Sequence, residues 1–185
     1  MTKLARSNYS QRPCERCAVE VGRALVGGAS TMSPARDLVA FVVGDRRCAL
    51  DLGAVDRVEP MVAISPLSSA PPGVLGAVDV RGTAVAVLDL RDRLGLAPAD
   101  PDPDGALLLA RTSRRRVALP VDEVLGVRTV DPAEVKEPER FDLERPFVVG
   151  VSTLTDGLLV IHDLDAFLSA DAERQLTPAL AGVAP

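Results

Sequence analysis

At 185 residues, with 47% hydrophobic and 25% charged side chains, the chain has the balance of a soluble globular protein with one sizeable core or two small ones, not of a disordered segment. Its formal charge of −5 is unevenly spread: residues 1–36 hold six basic residues against Glu15 and Glu20, leaving fifteen basic and twenty-four acidic residues in the body. Such an acidic body, with no Trp and 3% aromatic residues, excludes nucleic acid and proline-rich peptides as partners, because it offers neither phosphate-neutralising charge nor stacking platforms.

Residues 1–36 read as a flexible extension whose ordered-looking piece is a helical candidate from Glu15 to Leu25, closed by Gly27 and Gly28. Its apolar stretch Cys17 to Val26 is interrupted by Glu20 and Arg23, which neither a signal-peptide core nor a membrane span tolerates. The expectation is a cytoplasmic protein with reduced thiols and no membrane insertion.

From Asp37 the chain changes to short Val- and Leu-rich runs bounded by Gly, Pro or Asp, the texture of strands. Leu38–Val43 and Arg47–Leu52 read as a hairpin around Gly44-Asp45-Arg46. Strands are then expected at Arg57–Ile64, Val74–Val80 and Thr83–Leu90, with a short helix at Asp92–Leu96. A Pro- and Asp-rich loop, 97–105, hands over to a second half with a hairpin, Ala106–Arg111 and Val117–Val121, and a strand run Leu158–Leu164. The class is all-β with minor helix.

The first half is written again in the second. Ala49-Leu50, Val55 and Val58 recur 69 residues on at Ala118-Leu119, Val124 and Val127; Gly76, Asp89-Leu90 and Leu94 recur 74 residues on at Gly150, Asp163-Leu164 and Leu168. Two constant offsets separated by a five-residue step are what a tandem duplication with one loop insertion leaves, and the extra residues are expected in 136–145. The inference is two small β-barrels in one chain, residues 37–96 and 106–168, with a binding groove between them and a C-terminal tail over 171–185.

Candidate chemistry is sparse. Cys14-Glu-Arg-Cys17 has redox or zinc spacing but lacks a second pair, and Cys48 and His162 lie in different expected lobes. Cys48 reads as a small buried strand residue. His162, the only histidine, stands where the first repeat has Leu88 and reads as packed. Asp89 and Asp163 read as helix N-caps. No catalytic residues, cofactor or metal are expected; the alternative is a small β-barrel enzyme or thiol-dependent regulator using Cys14, Cys17, Cys48 or His162. Arg114-Arg115-Arg116 reads as an exposed hairpin tip, with an acidic-partner docking patch as the sharper reading. Arg81-Gly82 reads as the turn between two apolar strands.

Around that turn the sequence resembles the CheW family of chemotaxis coupling proteins. The family's hydrophobic-Gly-Val-Val-Asn-Leu-Arg-Gly run, followed by a strand ending Asp-Leu-Arg, is matched by Val74 to Gly82 and Val87 to Arg91. Phe41 to Asp45, Cys48 to Leu52 with Val55, Ala118 to Val124 and Gly157 to Leu164 extend the resemblance over about 37–168. It implies two SH3-like five-stranded barrels and a non-catalytic scaffold coupling chemoreceptor cytoplasmic tips to the regulatory domain of a CheA-type histidine kinase, in the cytoplasm at membrane-associated receptor arrays. By position, Leu52, Val55 and Arg57 fall on the kinase-facing surface, and Arg81, with Asp79 and Gly82, beside the receptor and kinase contacts. Two departures stand out: Asp79 replaces the family's Asn, and Arg57 replaces a Glu able to pair with the arginine. Two arginines there would repel unless Asp79 or Glu59 intervenes.

Overall fold

A computed structural model describes residues 35–141, 145–154 and 157–181. The extension with its candidate helix, and Cys14 and Cys17, lie outside the described residues.

The first strands follow the expected pattern. β1 (Arg36–Val43) and β2 (Arg46–Asp51) form the opening hairpin, and a 3-10 turn at Leu52–Ala54, N-capped by Asp51, leads into β3 (Val55–Pro60). β4 (Val74–Asp79) and β5 (Ala84–Leu88) flank the Arg81-Gly82 turn, and β5 runs into α1 (Leu90–Leu94). The second half repeats the plan with β6 (Ala106–Arg111), β7 (Arg116–Val121) and β8 (Glu123–Val130), a short β9 (Val135–Lys136), then β10 (Val148–Leu154) and β11 (Gly157–His162). A 3-10 turn at Leu164–Phe167 and α2 (Ala170–Ala181) follow. Asp89 and Asp163 are the N-caps the sequence predicts: each carboxylate accepts from a backbone N–H of the turn it opens, Asp92 and Asp165 respectively.

The strands form two sheets, ordered β8-β1-β2-β11-β10-β9 and β3-β6-β7-β5-β4. Exchanging β1, β2, β3, β4 and β5 with β6, β7, β8, β10 and β11 turns the first five positions of one sheet into the other, so the duplication is built into the topology. The parallel contacts match too: Ile161 pairs with Ala49 in one sheet and Val87 with Ala118 in the other. The expected division into residues 37–96 and 106–168 is corrected. Each sheet takes a hairpin from one half and three main strands from the other, because the turn after β2, like the step from β7 to β8, carries the chain across to the opposite sheet. The insertion is also spread more widely than expected. Ser65 bridges Ala77 of β4 as Lys136 pairs with Val151 of β10, an offset of 71, so the extra residues fall on both sides of Lys136.

Alternation along these strands makes three apolar layers. Leu38, Ala40, Ala49, Leu159 and Ile161 fill one barrel, and Leu107, Leu109, Ala118, Val85 and Val87, at the equivalent positions, fill the other. The opposite faces of the same strands, including Phe41, Leu50, Leu88, Leu108 and Leu119, meet in a larger cluster. Strands buried on both faces read as continuous apolar runs. The expected inter-lobe groove is therefore largely occupied by core. The expected tail is corrected as well: 170–181 is helical, with Ala172 and Leu176 buried in that cluster. No helix among the described residues is long and apolar enough to cross a membrane.

Candidate functional site

The sequence-predicted site residues lie on two stretches that share one end of the second sheet. At the β4–β5 turn, Val80 and Thr83 exchange backbone hydrogen bonds of 2.8 and 3.2 Å, leaving Arg81 (φ 54°) and Gly82 (φ 80°) as the two loop residues. Two positive φ angles mark a type I′ turn, whose twist suits a hairpin and whose first position ordinarily falls to Asn, Asp or Gly. Arg81 is the described non-glycine residue held in that left-handed region, at a cost of about 1–2 kcal/mol. The Asp79 carboxylate steadies the turn by accepting from the Gly82 N–H at 2.7 Å. Arg81 itself is exposed.

The second stretch begins at Leu52, 38% exposed on the crossover turn. Val55 is half-buried and packs against the central cluster, so it is partly a core residue, and a charge placed there would disturb folding as well as any surface. Beyond it β3 is bulged: Val55 pairs with Ala110 and Arg57 with Leu109, leaving Asp56 as the extra residue. A bulge re-aims side chains. Here Asp56 accepts from Arg111 Nη2 at 3.0 Å and lies 3.1 Å from Arg116 Nε, so one carboxylate is shared by two guanidinium groups. Arg57 Nε sits 2.6 Å from Glu59 Oε1, an ion pair made off the hydrogen-bond axis. Of the two carboxylates the sequence offered, Glu59 is the one that meets Arg57.

These stretches converge on an open cavity of about 250 Å³ lined by Asp56, Arg57, Val80, Val85, Leu109 and Arg116. Arg57 and the residue preceding Arg81 thus share a groove with an apolar floor and charged walls; Leu52 and Val55 are not among its lining. Sequence reasoning missed Asp56 and Arg111, and it singled out Arg116 only as part of the hairpin-tip run, not of this groove. The signal for Asp56 was present, since its repeat equivalent is Leu125, likewise the bulge residue of β8.

The Arg114–Arg116 run lies at the expected tip of the β6–β7 hairpin, but its three arginines do not form one free basic patch. Arg116 is held by Asp56, and Arg115 turns inward to α2, donating to Glu173 Oε2 and Thr177 Oγ1, each at 2.8 Å. Arg114 and Arg116 are exposed and Arg115 is half-buried, with Arg114 alone making no ion pair to another described residue among these three.

The residues of the enzyme alternative are poorly placed for chemistry. Cys48 is buried, and desolvation pushes its thiol up to about 12, far from the thiolate that reactivity needs. His162 is 4% exposed, packed with Phe147 and Phe167 at ring-centroid distances of 5.9 and 5.6 Å. Burial lowers its pKa to about 4, and the nearby Phe147 backbone, which favours the protonated ring, offsets only part of this without making a well-formed hydrogen bond. It occupies the central layer as Leu88 does in the other repeat.

Two interlocked SH3-like barrels ending in a charged groove define a protein-docking module. A CheW-like domain model matches residues 37–172. The chain is 30% identical over 142 residues to the chemotaxis protein CheW of Rhizobium meliloti, covering 76% of this chain and 91% of that one. Against a probable chemotaxis protein CheW of Rhizobium etli it is 29% identical, over 72% and 88%. The crystal structure of the scaffolding protein TtCheW from Thermoanaerobacter tengcongensis has the same fold, at a TM-score of 0.68 and 22% identity over 75% and 96%. The chain belongs to the CheW family, and a chemotaxis adaptor role follows from that membership.

Proposed function

We propose that this chain is a coupling adaptor without turnover of its own, joining the cytoplasmic tips of chemoreceptors to the regulatory domain of a CheA-type histidine kinase in the cytoplasm, beneath membrane-associated receptor arrays. The observation that carries the reading is Arg81: an exposed arginine kept in a left-handed turn that Gly or Asn would occupy at lower cost, next in sequence to Val80 in the wall of an open groove. Apolar groups at the centre of such a surface supply affinity and rim charges fix orientation. Leu52 and Arg57 extend the kinase-facing part of the surface; Asp79 and Gly82 act through Arg81, by holding the turn.

Co-elution of the purified chain with the regulatory domain of a CheA-type kinase from the same genome, with and without a receptor cytoplasmic fragment, tests this directly. A binary complex that grows to a ternary one is expected. A folded chain that binds neither component contradicts it.

A further inference from the structure

The two barrels treat the same position oppositely. In the first sheet the bulge residue and its successor are Leu125 and Gly126, and Leu125 packs on that barrel's apolar cluster with Leu154 and Val135. In the second sheet the equivalents are Asp56 and Arg57, and the groove stays open over Val80, Val85 and Leu109. Building a charged pair into a site whose twin is apolar sacrifices burial, and the charges are not mutually satisfied. Asp56 serves both Arg111 and Arg116, leaving one guanidinium in excess, with Arg116 60% exposed at its side chain. Asp79 is engaged by the Gly82 N–H, and Arg81 has no carboxylate partner among the described residues. The groove's own lining thus holds two arginines, Arg57 and Arg116, against one carboxylate, Asp56, in a body that otherwise carries many more acidic than basic residues.

From this imbalance we infer that the groove selects a partner segment presenting an acidic side chain beside an apolar one. The apolar group lies on Val80, Val85 and Leu109, and the carboxylate pairs with Arg116 and Arg57. The inference rests on the adaptor reading and adds the chemistry of the partner's contacting segment. Charge complementarity of this kind acts mainly through orientation and association rate, and it is screened by salt.

The test uses the full chain and the kinase regulatory domain as probe. Affinity is measured at 50 and 300 mM NaCl for the wild type, Arg116→Glu, Arg57→Glu and the milder Arg116→Gln, with melting curves alongside. The expected wild-type affinity falls roughly tenfold across that salt range. Each Glu variant is expected to bind about tenfold more weakly at low salt, with the salt dependence flattened, and Arg116→Gln to fall between. Wild-type binding that is indifferent to salt, or Glu variants within twofold of wild type, overturns the acidic-segment inference and leaves the adaptor reading standing. Because the wild-type salt slope requires no variant, a misfolded substitution cannot decide the matter. No binding by the wild type overturns both.

Discussion

One barrel of this molecule is finished and the other is left open. Along β10 the two-residue β9 pairs with Val151 and Ser152, and Leu125, Val135 and Leu154 close the first barrel. Along β4 the cover is a single bridge from Ser65 to Ala77, and Asp56 and Arg57 stand where Leu125 and Gly126 stand in the twin. The backbone plan is shared to the bulge, so the difference lies in side chains and in how the loop before the fourth strand is used. A duplicated fold can keep one copy as scaffold and give the other a surface.

The largest expected departure from symmetry concerns the central layer, where His162 replaces Leu88. With its folded-state pKa lowered to about 4 from an ordinary 6.5, the unfolded chain takes up a proton below about pH 6.5 that the folded chain refuses until about pH 4. Stability is therefore complete above pH 6.5 and falls through that window, by on the order of 3 kcal/mol at its foot. Denaturant melts of His162→Leu against wild type at pH 7.5 and 4.5 should show the variant losing that part of the slope. An identical pH dependence in both would mean that the imidazole is not what limits acid stability.

Next come the equivalent glycines Gly76 and Gly150, each crossed by its barrel's cover. A Cβ on Gly76 would meet the Ser65 carbonyl oxygen at 2.3 Å, whereas one on Gly150 would meet a Val135 methyl at 2.4 Å. Backbone gives less than a side chain. Gly76→Ala should cost about 3 kcal/mol and Gly150→Ala about 1 kcal/mol, read from chemical denaturation; the reverse order would show that the single Ser65 bridge is the softer cover.

The two hairpin tips differ in the same spirit. Arg46 at the first pairs with its exposed neighbour Asp45, while Arg115 at the second reaches Glu173, 7% exposed at its side chain. Glu173→Gln should cost about 2 kcal/mol, since it leaves a half-buried guanidinium without its counter-charge, against under about 0.5 kcal/mol for Asp45→Asn. One substitution is expected to give a gain. Arg81→Gly should stabilise the fold by about 1 kcal/mol by relieving the left-handed backbone, while weakening partner binding; a melting temperature that drops would refute the strain.

Much of this was legible in the sequence. The hairpins, both N-caps, the burial of Cys48 and His162, the Arg81-Gly82 turn and the duplication follow from apolar runs, turn chemistry and constant offsets, all of them local signals. The exchange of hairpins between sheets was not, because alternation fixes which face a strand buries and not which strand lies beside it; a parallel contact such as Val87 with Ala118 leaves no local trace. α2 was missed although Ala172, Leu176 and Ala179 keep helical spacing, and Pro178 inside the helix is a residue that ordinarily breaks one. At the candidate site the turn was legible but the groove was not. Arg111 and Arg116 face each other across the β6–β7 hairpin, and the bulge of a third strand, β3, turns Asp56 onto both.

The most direct single measurement is calorimetric titration of the kinase regulatory domain with the wild-type chain, with Arg81→Ala, and with Arg174→Ala on the exposed face of α2. An adaptor working through the open end of the second sheet gives saturable binding that Arg81→Ala weakens at least about tenfold and Arg174→Ala leaves unchanged, with equal melting temperatures. Binding by Arg81→Ala indistinguishable from wild type, or no binding by any folded form, would contradict it.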